Sequence, residues 1–147
     1  MQLLQDVKCA IMIAPQSVGT TVVTGVVSAA GYNRAKIVVQ MAAAATTVSA
    51  STLKLAAGAT TAAYTDIAKF TGGTDTDNFT LPAASGTSAT GDVVSFDVDL
   101  KGRGRELKLS LANSAARISS ALVLLSDRSG ETPDSATERG LAVQVVG

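Results

Sequence analysis

The stretch DVVSFDVDLKGRGRELKLSLAN, from Asp92 to Asn113, limits what this chain can fold into more than any other. Val94, Phe96, Val98 and Leu100 alternate with Ser95, Asp97 and Asp99, and Leu107, Leu109 and Leu111 alternate with Lys108 and Ser110. A period of two makes each half a strand with one buried face. With Arg103-Gly104 as a two-residue turn, the two halves form an antiparallel hairpin in which Leu100 faces Leu107, Val98 faces Leu109 and Phe96 faces Leu111. The same register sets Asp99 against Lys108 and Lys101 against Glu106, where opposite charges contribute about 0.2–1 kcal/mol per pair. A slip of one residue would turn every apolar side chain towards water, so the register is tightly specified. Arg103 is not the usual first residue of a primed turn, which leaves a slightly longer loop as the other solution.

Turn signals divide the rest of the chain in the same way. Val7–Ala14 is strand-like and stops at Pro15. Thr20–Ser28 is rich in β-branched residues, with Gly25 marking a bulge or a close contact. Ala29 to Asn33 makes a turn, and Arg34–Met41 alternates again. Ala42–Ser51 is a loop or an edge strand. Thr52–Ala56 and Thr61–Phe70 flank Gly58 as a second hairpin. Gly72–Gly91 is a long polar excursion with a short strand at Asn78–Leu81. Arg117–Ser126, RISSALVLLS, is apolar on both faces towards its end, as a central or doubly covered strand would be. Leu141–Val146 closes the chain. Roughly nine or ten short strands without an amphipathic helix give an all-β fold, a single antiparallel β-sandwich or jelly-roll-like domain.

Composition narrows the chemistry. The chain has no histidine, which removes Ser-His-Asp, Cys-His and His-metal schemes together. Its one cysteine, Cys9, excludes an intramolecular disulfide and lies in a strand, where a small buried thiol is expected. Twelve basic and twelve acidic residues cancel, so no footprint for nucleic acid or an anionic membrane is visible. The N-terminal run is broken by Lys8 and reads as neither a signal peptide nor a span. A mean hydropathy of +0.30 with 3% aromatic residues describes a core of small and branched side chains.

Carboxylates are the remaining candidates. Asp97 and Asp99 share one strand face about 7 Å apart, a spacing that suits a glycosidase pair, but a solvated face with Asp99 paired to Lys108 accounts for them better. Asp75-Thr76-Asp77-Asn78 offers oxygen ligands to calcium without the glycine and glutamate spacing of an EF-hand, and reads as an acidic loop tip. Gly102-Arg103-Gly104-Arg105 reads as a turn, and Gly72-Gly73-Thr74 lacks the lysine and helix of a phosphate loop. We expect no enzyme activity, no cofactor and no metal.

Three stretches, TVVTGVVSAAGYNRAKIVVQ, STLKLAAGATTAAYTDIAKF and LKGRGRELKLSLAN, resemble segments of small β-sandwich virion proteins of tailed bacteriophages. The resemblance implies a capsid decoration, or cement, protein made in the host cytoplasm and placed on the outside of the virion head. It implies the major capsid protein as partner, and a homotrimer. A head-tail or tail-surface component, or a carbohydrate- or receptor-binding sandwich, is the alternative. Contacts with shell or sister subunits are then expected from residues 1–6 and from long surface loops at about 71–91 and 127–140. The residues named for that role are Asp75, Asp77, Asp127, Arg128, Glu131, Asp134, Glu138 and Arg139.

Overall fold

The computed structural model describes residues 7–44, 48–72, 79, 81 and 91–128. These residues form eight strands: β1 (Lys8–Val18), β2 (Val23–Ser28), β3 (Tyr32–Met41), β4 (Ala50–Thr60), β5 (Ala63–Thr71), β6 (Asp92–Asp99), β7 (Glu106–Asn113) and β8 (Arg117–Arg128). They make two four-stranded antiparallel sheets, sheet A in the order β1-β8-β3-β6 and sheet B in the order β2-β7-β4-β5. The pairs β1:β8, β2:β7, β3:β6 and β4:β5 nest like one long hairpin whose tip is the β4–β5 turn. Folding that hairpin over itself puts alternate pairs into opposite sheets and gives a jelly roll, the architecture that the alternating strands imply.

The same folding corrects the reading of Asp92–Asn113. β6 lies in sheet A beside β3, and β7 lies in sheet B between β2 and β4. The connection between them therefore crosses from one sheet to the other. Phe96, Val98, Leu100, Leu107, Leu109 and Leu111 are all buried as expected, but they meet across the core rather than along one sheet face. Asp99 sits opposite Arg34, and Lys108 lies between Val26 and Ala56, so Asp99–Lys108 and Lys101–Glu106 are not cross-strand pairs. An inward-facing alternation is the same whether its partner is a neighbouring strand or the opposing sheet. The tight turn is Lys101-Gly102, closed by Arg103 N–H donating to Leu100 O at 3.1 Å, with Gly102 at φ +74° where a side chain would be strained.

Other boundaries also move. β1 continues through Pro15 to Val18 because it is an edge strand with irregular register between Ile11 and Gln16, the setting that tolerates proline. The β4–β5 hairpin forms, with its turn at Thr61-Ala62 and Gly58 inside β4. Gly25 is a close contact, since a Cβ there would run into the Met12 carbonyl where β1 and β2 close one side of the sandwich. The opposite side is closed by aromatic rings. Phe96 meets Phe70 at 5.4 Å and Phe79 at 5.3 Å between centroids, in tilted and edge-on geometries worth about 0.5–1.5 kcal/mol per pair beyond area. Of the strand expected at Asn78–Leu81, Phe79 and Leu81 pack on the core without being in a strand. Leu141–Val146 lies outside the described residues.

One buried charge ties the frame together at the end where the chain passes from sheet A to sheet B. Arg117, the first residue of β8, has its side chain 1% exposed. Its Nη2 pairs with Asp92 Oδ2 at 2.7 Å and donates to Met41 O at 3.3 Å, Nη1 donates to Val48 O at 3.4 Å, and Nε donates to Ala42 O. The end of β3 at Met41 and Ala42, Val48 ahead of β4 and the start of β6 at Asp92 are thus held by a single guanidinium, whose fixed fork suits several acceptors at once.

Candidate interaction surface

The two outer faces of the sandwich differ. On sheet B, Val26, Lys108, Ala56 and Asp66 form one cross-strand row. Lys54 Nζ bridges to Asp66 Oδ2 at 2.8 Å, and Lys108 Nζ lies 5.5 Å from the Tyr64 ring centroid. That face is polar and tied to itself.

Sheet A is apolar at its middle. Register aligns Cys9, Leu124, Lys36 and Asp97 in one outward row and Ile11, Leu122, Val38 and Ser95 in the next. Their neighbours Ile37, Val39, Val123 and Leu125 fill the core, so strand alternation sends this second set outward. Ile11 is 67% exposed and Leu122 38%, with Ile118 at 53% and Val93 at 68% further along the strands. Ile11, Leu122, Val38 and Leu124 adjoin one another, a cluster that marks a contact surface rather than scattered apolar residues, while Val93 shares a row with Gln40 and Ser120 and Ile118 lies beyond it. The two-sided apolar character of Arg117–Ser126 was the sequence signal for this face. β8 is central, as that pattern implies, but among the described residues nothing packs on its outer side.

The remaining candidates take structural roles or lie elsewhere. Asp97 and Asp99 do share the outer face. Asp97 is 3.6 Å from Lys36 with both side chains largely exposed, and Asp99 Oδ1 accepts from Lys101 N at 2.9 Å, capping the turn. Arg34, Lys36, Asp97, Asp99 and Ser126 line a 370 Å³ cleft at this end of sheet A, and no aromatic ring lies among the lining residues to serve as a sugar platform. Arg103 Nε donates to the nearby Asp99 O at 3.2 Å and Arg105 Nη1 donates to Tyr32 O at the start of β3, so both arginines are taken up by main-chain carbonyls. Cys9 is half-buried, and desolvation pushes its thiol pKa up, opposite to what a nucleophile needs. Among the described residues no group of three or more acidic or thiol side chains could hold a metal.

Of the expected contact residues, Asp127 is exposed at the end of β8 with φ +56°, a conformation that aspartate tolerates better than most. Arg128 ends β8 opposite Tyr32. Asp75, Asp77, Glu131, Asp134, Glu138, Arg139 and residues 1–6 lie outside the described residues.

No family model matches the chain, and no curated protein matches it. A solved structure, described as "CBM32 of AlyQ in complex with 4,5-unsaturated mannuronic acid", is similar at TM-score 0.30 and 13% identity, over 76% of this chain and 74% of that one.

Proposed function

We propose that this chain is a structural virion protein, a decoration protein that binds the outside of a tailed-phage head as a homotrimer and stabilises the shell. The observation that carries the reading is the apolar outer face of sheet A, centred on Ile11, Leu122, Val38 and Leu124, which offers a contact surface to sister copies and to a shell. Such a molecule offers surfaces. Repetition on a symmetric shell lets individually weak contacts sum to firm attachment. Jelly rolls recur in viral capsid proteins as well as lectins, a fold-level analogy that agrees with the sequence resemblance but does not choose a function alone.

The test is co-sedimentation of purified protein with expanded heads assembled from the major capsid protein of the same genome. Saturable binding that raises the temperature at which the heads come apart is the expected result. Heads that sediment without the protein at concentrations of about 100 μM, well above a standard interface's Kd, would refute the reading. Binding to a glycan array in their place would favour the carbohydrate-binding alternative.

A further inference from the structure

We propose that the outer face of the β1-β8-β3-β6 sheet joins copies of this chain to one another, three copies packing about an axis that runs along the strands. The proposal rests on the preceding reading for the number of copies and on the face itself for the surface and the orientation.

The dimensions fit three copies. Four strands at about 4.8 Å spacing make a sheet about 19 Å wide. Three such sheets closed into a triangular prism would each lie about 5–6 Å from the common axis, half the ~10 Å at which packed sheets interdigitate. The side chains closest to the axis then belong to the two central strands, β8 and β3. Those are Leu122, Leu124 and Val38. A face about 19 Å by 26 Å has a flat footprint of about 500 Å², and side-chain relief carries its accessible area towards the ~800 Å² per partner of a standard interface.

The charges select the orientation. Basic residues on this face, Arg34 and Lys36, lie on β3, and acidic ones, Asp97 and Asp99, lie on the edge strand β6, all at the same end. An axis along the strands keeps every row level with the same row of the next copy, so the Ile11–Leu122–Val38 rows meet one another and the charged ends meet charged ends. At each corner of the prism β6 of one copy adjoins β1 of the next, with Asp97 level with Cys9, so the carboxylates stay at the rim of the contact rather than at its centre. A two-fold axis running across the strands would instead press Asp97 and Asp99 onto the half of the face that holds Val93 and Ile118, at the cost of burying carboxylates against apolar groups.

Light scattering of the full chain and two variants tests this. Leu122→Asp places a charge at the centre of the face. Val26→Asp places one at a comparably exposed aliphatic position on the outer face of sheet B, where Val26 is 46% exposed, and controls for general damage. We expect about 44 kDa, three times 14.8 kDa, for the wild type and for Val26→Asp, and 14.8 kDa for Leu122→Asp with an unchanged circular dichroism spectrum. A monomeric wild type at about 100 μM, a mass of about 30 kDa, twice 14.8 kDa, or a Leu122→Asp variant that keeps the wild-type mass would each overturn the proposal. Equal loss of mass in both variants would overturn it too. Head binding is scored separately: a trimer broken by Leu122→Asp in a protein that never binds heads would sustain the face and sink the decoration role. Unchanged mass with lost head binding would assign the face to the shell.

Discussion

Replacing Arg117 with methionine should be among the most damaging single changes outside the aliphatic core. Methionine keeps most of the side-chain length, so the experiment removes the guanidinium without opening a large cavity. What it leaves behind are the carbonyls of Met41, Ala42 and Val48 and the Asp92 carboxylate, all now short of a donor. Breaking a buried pair by removing one partner costs about 3–5 kcal/mol. The Asp92 side chain is 24% exposed and recovers water, which places the loss near the lower end, about 3 kcal/mol. Against a typical stability of about 5–15 kcal/mol that is a large fraction. With a urea m-value of about 1–3 kcal/mol/M, the midpoint should fall by at least about 1 M with an unchanged slope. Asp92→Asn alone should cost less, because the three carbonyls still hold the arginine, and the double variant should lose less than the sum of the two singles. A loss below about 1 kcal/mol for Arg117→Met, or strict additivity with Asp92→Asn, would refute the claim that this guanidinium clasps the crossover.

Three further outcomes follow from the packing. Leu109→Ala, at a position with no exposure in the middle of β7, should cost about 2–5 kcal/mol in the same titration, and a loss under about 1 kcal/mol would remove β7 from the core. Gly25→Ala should cost about 1–3 kcal/mol, because the new methyl presses on the Met12 carbonyl, and a neutral result would show that β1 and β2 separate readily. Burial holds the Cys9 thiol above its ordinary pKa, so the folded state keeps a proton that the unfolded chain releases. That stabilisation is complete below the ordinary thiol value and is lost as pH rises through the folded-state one, so wild type should weaken relative to Cys9→Ala across that interval, and parallel curves would refute it.

Strand content and the inward side chains were legible in the sequence because alternation reports burial directly. Phe96, Val98, Leu107, Leu109 and Leu111 needed only their period to be placed inside. Which sheet each strand joins was not legible. β6 and β7 are apolar inward in the sandwich as they would be in a hairpin, and the nearby charges Asp99, Lys101, Glu106 and Lys108 made a plausible ladder that the arch connection does not use. Pro15 misled for a related reason, since an edge strand forgives what a central one would not. Arg117 gave no signal at all: one arginine at a strand start looks like any exposed charge until Met41, Ala42, Val48 and Asp92 are brought around it from distant parts of the chain. The outer face of sheet A was half legible, in the two-sided apolar run of β8, but its partner residues Ile11 and Val38 come from strands whose adjacency only the topology supplies.

That topology also relates the apolar face to the contact residues expected from the sequence. β1 and β8 pair so that Lys8 lies opposite Leu125, which puts the start of β1 and the end of β8 at one end of sheet A, beside Arg34 and Asp99. Residues 1–6 and the segment after Arg128 are therefore joined to the frame at the same end. With copies packed about an axis along the strands, all of these attachment points fall at one end of the assembly. On the proposed reading, self-association would use the sheet face and shell attachment would use the end. Deleting residues 129–136 separates the two: head occupancy should fall severalfold while the solution mass and the urea midpoint stay as in the wild type. Loss of the trimer on this deletion would show that the segment joins copies rather than binding the shell, and unchanged occupancy would remove residues 129–136 from the contact.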